Sequence, residues 1–474
     1  MLSHLCPVPA VARSLLGTGI LNLPRIAPDP IFNAQKLFAD SKNPNKINGT
    51  VGIFKGPHIL DDIWDNYPTG PIVKHLLNKQ KFKDEIGKNT STYLPIIGDP
   101  EYIELMEKCF MPTNIKKTDV LSVQTLSGTG GLYLANSIIK LFTNESILLP
   151  EQTWANHHNI FSNYKNYKYL GNELVTYGYG AGKFKVEVEE PKIDVDNMIK
   201  TILDPFTSNS KYSKSKYPYI NDNPYMNDSI HMNDNIDKSE KIVPVLFHTC
   251  AHNPSGIDIN IPDWERIFDS LMSVNSNEGK FRYLPIFDTA YAGFASGEIS
   301  RDIEPLYLAV KKGIPFISIF SCSKNFGLYG ARTGLLSLHI PGIGEYDKEN
   351  LKGTIAKIIR SQYSNPPSFG STIVKHILQD ADLLGNWKYM LSKIVEDNRE
   401  TRAFIANNVN DMKLNYVKYG KGMFSLLDIT PKQIQRLNNK YGIYTVGNRF
   451  SYFGIKNKKQ LEYFCDSYNK VLLE

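Results

Sequence analysis

Cysteine is scarce in this 474-residue chain: there are five, Cys6, Cys109, Cys250, Cys322 and Cys465. The count is odd, the spacing is wide, and neither a CxxC pair nor a Cys/His zinc pattern occurs. Both features argue against a disulfide framework and a metal site, and free thiols in a reducing compartment are expected. Long apolar runs are also missing. No stretch has the roughly 20 residues that a membrane-spanning helix needs, so no membrane partner is expected. Clustered positive charge is lacking too. The net charge is only +6, and Lys79-Gln80-Lys81-Phe82-Lys83 runs straight into Asp84 and Glu85. That pattern reads as solvated surface, and nucleic acid is not an expected partner. Acidic residues are absent before Asp29, where Ser3, Arg13, Ser14 and Arg25 stand. Such a start is compatible with an organelle transit peptide. Only two arginines and several Pro and Gly residues favour an extension without an address. Residues 1–25 are read as that extension. A cytoplasmic protein is expected, with a mitochondrial-type organelle as the alternative.

What is present suffices for a sizeable core. Apolar residues make up 42%, and the length suggests more than one domain or a large domain with an appendage. Residues 205–241 stand apart. They are rich in Asn, Asp, Ser, Lys and Tyr and repeat Met-Asn-Asp at 226–228 and 232–234. This is a low-complexity insertion, expected to be a disordered surface loop. On either side, short apolar runs end in polar residues: 243–247, 283–287 and 315–320. Between the first two, residues 261–272 have helical spacing, with Pro262 suited to a first turn. Strand, helix, strand implies an α/β fold with a mostly parallel sheet. Ligands gather beyond the carboxyl ends of such strands, so the polar residues there are the candidates.

Three strand ends present His252-Asn253-Pro254-Ser255-Gly256, Asp288-Thr289-Ala290-Tyr291 and Ser321-Cys322-Ser323-Lys324. A lysine after a buried strand can attack a carbonyl once desolvation or a nearby cation lowers its pKa. Alone, it is more often solvated surface. Asp288 is either a cap or ion-pair residue or a partner for a protonated pyridine nitrogen. Tyr291 either packs or joins the Asn253 amide on a cofactor oxygen. Ser127-Gly128-Thr129-Gly130-Gly131 lies between a strand-like run (120–126) and a helix-like run (132–141). Free amides at such a helix start suit a small phosphate. Tyr133 breaks GxGxxG, and no Lys-Ser/Thr pair follows for a Walker loop. The plainer alternative is a turn that binds nothing. Trp154 is either core or a ring stack. Arg332, eight residues after Lys324, has the fork that bonds a phosphate bidentately. Arg360, Arg449 and Gly52, taken singly, are ordinary surface and turn residues.

Taken together, these residues resemble the aspartate aminotransferases, which are class I, fold-type I pyridoxal-phosphate enzymes. The matches keep the family's order over roughly 29–465. They include Tyr93-Leu-Pro, Ser127-Gly-Thr-Gly, Trp154 with Asn156-His157 and His252-Asn-Pro-Ser-Gly. Further on come Asp288-Thr-Ala-Tyr-Ala-Gly-Phe, Ser321-x-Ser-Lys-Asn-Phe-Gly-Leu-Tyr-x-x-Arg332 and Arg360-x-x-Tyr-Ser-Asn-Pro-Pro. Gly422-Met-Phe-Ser, and Arg449 followed by Gly454, complete the set. The lysine motif is the most specific.

The resemblance implies pyridoxal 5'-phosphate as cofactor, amino acids and 2-oxo acids as substrates, and a homodimer with shared active sites. Lys324 would carry the cofactor and shuttle a proton. Asp288, supported by His157, would pair with the pyridine nitrogen. Asn253 and Tyr291 would bond the ring oxygen, and Trp154 would stack on the ring. Ser127, Gly128, Thr129, Ser321, Ser323 and Arg332 would hold the phosphate, with Tyr93 from a second subunit. Gly52 would lie over the substrate. Arg449 would clamp the α-carboxylate, and Arg360 of a second subunit the side-chain carboxylate. Two arginine forks favour dicarboxylates, and the reaction implied is ping-pong transfer from aspartate to 2-oxoglutarate.

The resemblance also divides the chain. A large domain is expected over 63–393 and a smaller α/β domain over 41–62 with 394–474. A dimer arm is expected over 26–40. Two departures stand out. Gly330 and Ala331 replace larger polar residues. Phe450-Ser-Tyr-Phe453 brings bulk after Arg449, which is expected to affect small-domain closure and substrate range. The alternatives are an aromatic aminotransferase or another pyridoxal-phosphate activity, such as a β-decarboxylase, on this scaffold. A catalytically silent dimeric binding protein is the alternative outside enzymes.

Overall fold

The computed structural model describes residues 29–50, 52–53, 69–167, 169, 193–203, 241–276 and 281–473. The extension at 1–25 and the insertion expected at 205–241, apart from residue 241, lie outside the described residues. So do the start of the arm and much of 41–62.

The strands in chain order are β1 (Ile47–Asn48), β2 (Val120–Thr125), β3 (Ile147–Pro150), β4 (Tyr164–Tyr167), β5 (Lys241–His248) and β6 (Phe281–Thr289). They continue with β7 (Phe316–Ser321), β8 (Gly334–His339), β9 (Phe424–Leu426), β10 (Ile443–Tyr444) and β11 (Arg449–Ser451). Seven form one sheet in the order β2-β8-β7-β6-β5-β3-β4. Only β8 runs against the rest. The three strands expected from apolar runs are β5, β6 and β7. The helix expected at 261–272 spans Ile261–Ser276 and has Pro262 in its first turn. The helix after β2 starts at Ser127, five residues before the apolar run suggested. Glycines and a serine open it, and periodicity is blind to such residues.

Strand side chains alternate between two apolar clusters, one on each face of the sheet. Val243, Val245 and Phe247 face one cluster with Trp264, Ile267 and Phe268 of the Ile261–Ser276 helix. Leu246, Ile286, Ile317 and Ile319 face the other, with Leu132 and Ile138 of the Ser127–Ile139 helix. Both faces are therefore covered, as a parallel sheet requires. The consequence for function is simple. The carboxyl ends of β2, β3, β5, β6 and β7 all emerge on one edge.

Smaller pairings cap that edge. β1 pairs in parallel with β10, and β9 pairs antiparallel with β11. Helices Pro431–Tyr441 and Lys458–Leu473 and the long helix Ala381–Asn408 pack beside them. Helix Pro30–Asp40, within the expected arm, packs on its own chain. Its Phe38 ring meets Tyr444 edge-on at 5.9 Å. No helix among the described residues is long and apolar enough to cross a membrane.

Phe450 and Tyr452 are fully buried. Phe450 stacks on Phe464 at 4.5 Å and Tyr452 lies under Arg402. Neither they nor Phe453 line the central cleft. The bulk after Arg449 is taken up by the core around β11, so it does not meet the cavity directly and reaches it only through neighbours such as Arg402.

Candidate active site

A cavity of about 230 Å³ opens at the carboxyl edge of the sheet. Five strand ends deliver residues to it. Ser127, Gly128 and Thr129 follow β2, Trp154 follows β3, and Asn253 follows β5. Asp288 and Tyr291 come from β6, and Ser321, Ser323 and Lys324 from β7. Arg332 precedes β8, and Gly52 and Arg449 enter from the capping layer.

Lys324 sits in the short helix Cys322–Asn325 directly after β7. Its ammonium lies 4.8 Å from the centre of the Tyr291 ring. Burial depresses its pKa to about 8. The Asp288 charge opposes that shift, and Arg332 and Arg449 add to it. Asp288 is itself buried and paired. His157 Nε2 donates to Asp288 Oδ2 at 3.2 Å, and the Ala290 amide donates to Oδ1 at 3.2 Å. Burial alone would raise this carboxyl. The His157 hydrogen bond, with the electrostatic influence of the neighbouring His248 and His157 rings and of Lys324, outweighs it and holds the pKa below the ordinary value. Behind His157, the Thr153 hydroxyl stands 2.7 Å from Nδ1.

A second cluster gathers hydroxyls. Ser127 Oγ lies 2.9 Å from Ser321 Oγ and 2.8 Å from Ser323 Oγ. Arg332 reaches Ser323 Oγ at 3.4 Å. Ser127 and Arg332 both have left-handed backbones, φ 63° and 50°. Non-glycine residues in that region are held there by their surroundings. Ser127 also opens a 13-residue helix, so amide dipoles point at the cluster. Hydroxyls, amides and a guanidinium form an anion-binding donor set.

Across the cavity, Asn253 Nδ2 donates to the Tyr291 hydroxyl at 3.3 Å. Arg449 donates to Asn253 Oδ1 at 3.3 Å and to the Thr50 carbonyl at 2.9 Å. Its guanidinium also lies 4.3 Å from the centre of the Phe424 ring.

Tyr93 and Arg360 are the exceptions. Neither lines the cavity of its own chain. Tyr93 is 89% exposed, and Arg360 is exposed as well. Arg360 donates to Ser364, whose hydroxyl donates to Asn365, which donates in turn to the Leu94 carbonyl. The two residues thus belong to one connected surface. His157 also stays out of the cavity, supporting Asp288 from behind.

Several cavity residues were not anticipated: Ile31, Leu132, His248, Ala290, Tyr329 and Phe424. His248 ends β5 and carried the same strand-end signal as Asp288. Burial pushes its pKa down to about 3, so it stays neutral. Phe424 lies in the Gly422-Met-Phe-Ser motif, where nothing local marks its ring as facing a site. Ile31 comes from a helix that only the tertiary fold brings near.

The family model for class I and II aminotransferases matches residues 66–190 and 207–467. The chain belongs to that family. The aminotransferase is 30% identical to the mitochondrial aspartate aminotransferase of Saccharomyces cerevisiae, over 97% of this chain and 96% of the relative. It is 28% identical to the cytoplasmic enzyme of Schizosaccharomyces pombe, over 96% and 98%. Among solved structures, the cytoplasmic aspartate aminotransferase of Giardia lamblia superposes with a TM-score of 0.75 at 23% identity, covering 95% of this chain and 97% of that one. An aromatic-amino-acid aminotransferase of Burkholderia pseudomallei covalently bound to pyridoxal phosphate gives 0.72 at 22%, over 96% and 99%. The family depends on pyridoxal phosphate, and this aminotransferase has a matching donor set. An anion cradle, a buried ionised carboxylate and a lysine amine of lowered pKa surround one cavity.

Proposed function

We propose that this aminotransferase exchanges the amino group between aspartate and 2-oxoglutarate, as a homodimer with shared sites. One observation carries the substrate reading. Arg449 is 8% exposed; among the described residues its Nε has no hydrogen-bond partner and no carboxylate forms an ion pair with it, Asp29 acting only through its charge. A buried guanidinium with no carboxylate in direct contact is costly. A substrate carboxylate in the cavity would offset that cost. The curated relatives named aspartate aminotransferases support the choice of amino acid.

Pyridoxal phosphate, when bound, supplies a reactive carbonyl and an electron-withdrawing ring. Ser127, Ser321, Ser323 and Arg332, with Gly128 and Thr129, would hold its phosphate. Asp288 would keep the ring nitrogen protonated, and His157 would hold Asp288 in place. Asn253 and Tyr291 would bond the ring oxygen, and Trp154 would cover a ring face. The Lys324 amine would bind the carbonyl and later carry a proton to and from the substrate Cα. A pKa of about 8 suits both tasks near neutral pH. Gly52 would close over the substrate beside Phe424, whose ring a Cβ at Gly52 would approach to 2.8 Å. Arg360 and Tyr93 would serve the partner's cavity, which accounts for their exposure here. The domain division at 41–62 with 394–474, around 63–393, belongs to the same proposal.

The test is spectroscopic and kinetic. The loaded protein should show the absorbance band of lysine-bound cofactor, and Lys324→Ala should lack it. Absence of the band in purified, cofactor-supplemented wild type would sink the reading. Aspartate should be turned over faster than phenylalanine, and the reverse order would favour an aromatic aminotransferase. For the compartment we propose the cytoplasm. A fluorescent reporter fused to residues 1–25 that entered mitochondria would overturn this.

A further inference from the structure

One heavily hydrogen-bonded arginine lies outside the cavity. Arg402, on the helix Ala381–Asn408, is fully buried. No carboxylate among the described residues forms an ion pair with it. Its charge is met instead by main-chain oxygens. One terminal nitrogen donates to the carbonyls of Lys421, Gly422 and Phe424 at 3.1, 2.8 and 2.8 Å. The other donates to Ser425 Oγ at 2.7 Å and the Val417 carbonyl at 3.4 Å. The Tyr452 ring lies 4.4 Å from the guanidinium carbon.

These acceptors all belong to one stretch, and that stretch touches Arg449 twice. Phe424 offers its carbonyl to Arg402 and its ring to Arg449. Ser425 offers its hydroxyl to Arg402, while β9 pairs with β11, in which Arg449 faces Leu426. The same stretch also grips the large sheet. The Lys421 amide donates to the Gly256 carbonyl at 2.7 Å. A Cβ at Gly256 would meet the Phe424 carbonyl at 2.5 Å, so no side chain fits between them. Gly256 closes the turn that presents Asn253, and Asn253 accepts from Arg449. A closed ring of contacts results, running from Arg402 through 421–425 to Gly256, Asn253, Arg449 and back to Phe424.

We infer that Arg402 is a positioning residue for substrate binding, fixing 421–425 so that Phe424 and Asn253 hold the Arg449 guanidinium in register with the substrate α-carboxylate. The inference rests on the α-carboxylate role proposed for Arg449. The physical reason is the geometry of the guanidinium. It spreads one charge over several donors in a rigid plane, whereas an ammonium has three donors on a flexible stem. Lysine at 402 would keep the charge and lose the simultaneous grip on the Lys421, Gly422 and Phe424 carbonyls and the Ser425 hydroxyl.

The experiment uses the cofactor-loaded full-length protein. Arg402→Lys should raise KM for aspartate about tenfold, with a smaller change in kcat and an unaltered cofactor spectrum, since misplacement of a binding group weakens substrate capture. In an Arg449→Lys background, the same substitution should add less than about twofold, because the group it positions is gone. Equal effects in both backgrounds would overturn the inference. So would an unchanged KM accompanied only by a lower melting temperature. Should Arg402→Lys fail to fold, Ser425→Ala carries the same expectation at about threefold, and an unchanged KM there would overturn it equally. An unchanged KM in Arg449→Lys alone would sink the α-carboxylate role first. A raised KM there, with none in Arg402→Lys, sinks only the positioning role.

Discussion

His157 Nε2 and Asp288 Oδ2 lie 3.2 Å apart, both buried, and this bond orders the base of the cavity. An ionised carboxylate can only accept, so the ring hydrogen sits on Nε2. Nδ1 on the other side of the ring is hydrogen-bonded to the Thr153 hydroxyl at 2.7 Å. The chain Thr153–His157–Asp288 fixes a negative charge where a protonated pyridine nitrogen would lie. Asp288→Asn should therefore lower kcat for aspartate on the order of 100- to 1000-fold, the size of losing one preplaced electrostatic stabiliser. Thr153→Val leaves the charge in place and should cost less than about tenfold. Steady-state kinetics on loaded protein decide, and equal losses in the two variants would contradict the argument.

As the proposed cofactor-bearing residue, Lys324 should govern how fast the cofactor attaches. Its pKa is about 8 in the folded chain, against about 10.4 for a free lysine. Only the uncharged amine attacks a carbonyl. The rate of covalent loading of the cofactor-free protein should rise with pH and level off above about 8. The sign for stability follows from the same shift. Between about 8 and 10.4 the unfolded chain binds the extra proton, so the cofactor-free protein gains stability as pH rises through that window. Stopped-flow absorbance and urea titrations read the two effects. A loading rate flat across neutral and alkaline pH would refute the assignment.

Arg360 should act on the neighbouring subunit's substrate. Arg360→Ala should reduce kcat/KM for aspartate on the order of 100-fold while sparing phenylalanine, because only the dicarboxylate loses a charge partner. Mixed dimers sharpen this. Combining Arg360→Ala with Lys324→Ala subunits should restore one working site of two. No recovery in the mixture would argue against shared sites.

Gly454 is a packing residue. A Cβ there would run into the Asn48 carbonyl, which is backbone and cannot swing aside. Gly454→Ala should destabilise the protein by about 1–3 kcal/mol, the range for overpacking. Denaturant unfolding measures it, and an unchanged midpoint would refute the close approach of β1 to this turn.

Much of the cavity was legible because its residues stand at strand ends. Asp288, Lys324 and Asn253 each follow or end an apolar run, and a parallel sheet gathers such ends on one edge. The limits of β6 were less legible. The strand reaches Thr289, so Asp288 lies within it and not after it. The reversed strand β8 gave no local sign of its direction. Thr153 has no sequence signal, because an isolated threonine before a tryptophan carries no pattern. Ile31 and Phe424 are illegible for a similar reason: apolar residues signal burial, not which space they face.

The sequence by itself determined the chemistry available: a lysine after a buried strand, an acid near the end of another, and hydroxyls opening a helix. These depend on residue type and local spacing, which a linear chain states directly. The tertiary structure alone decided which groups share one space. It set the His157–Asp288 bond across 131 positions and the Arg449–Asn253 bond across 196. It also turned Arg360 and Tyr93 away from the cavity of their own chain. Such pairings depend on how sheet and capping layer pack, and no spacing along the chain encodes that distance.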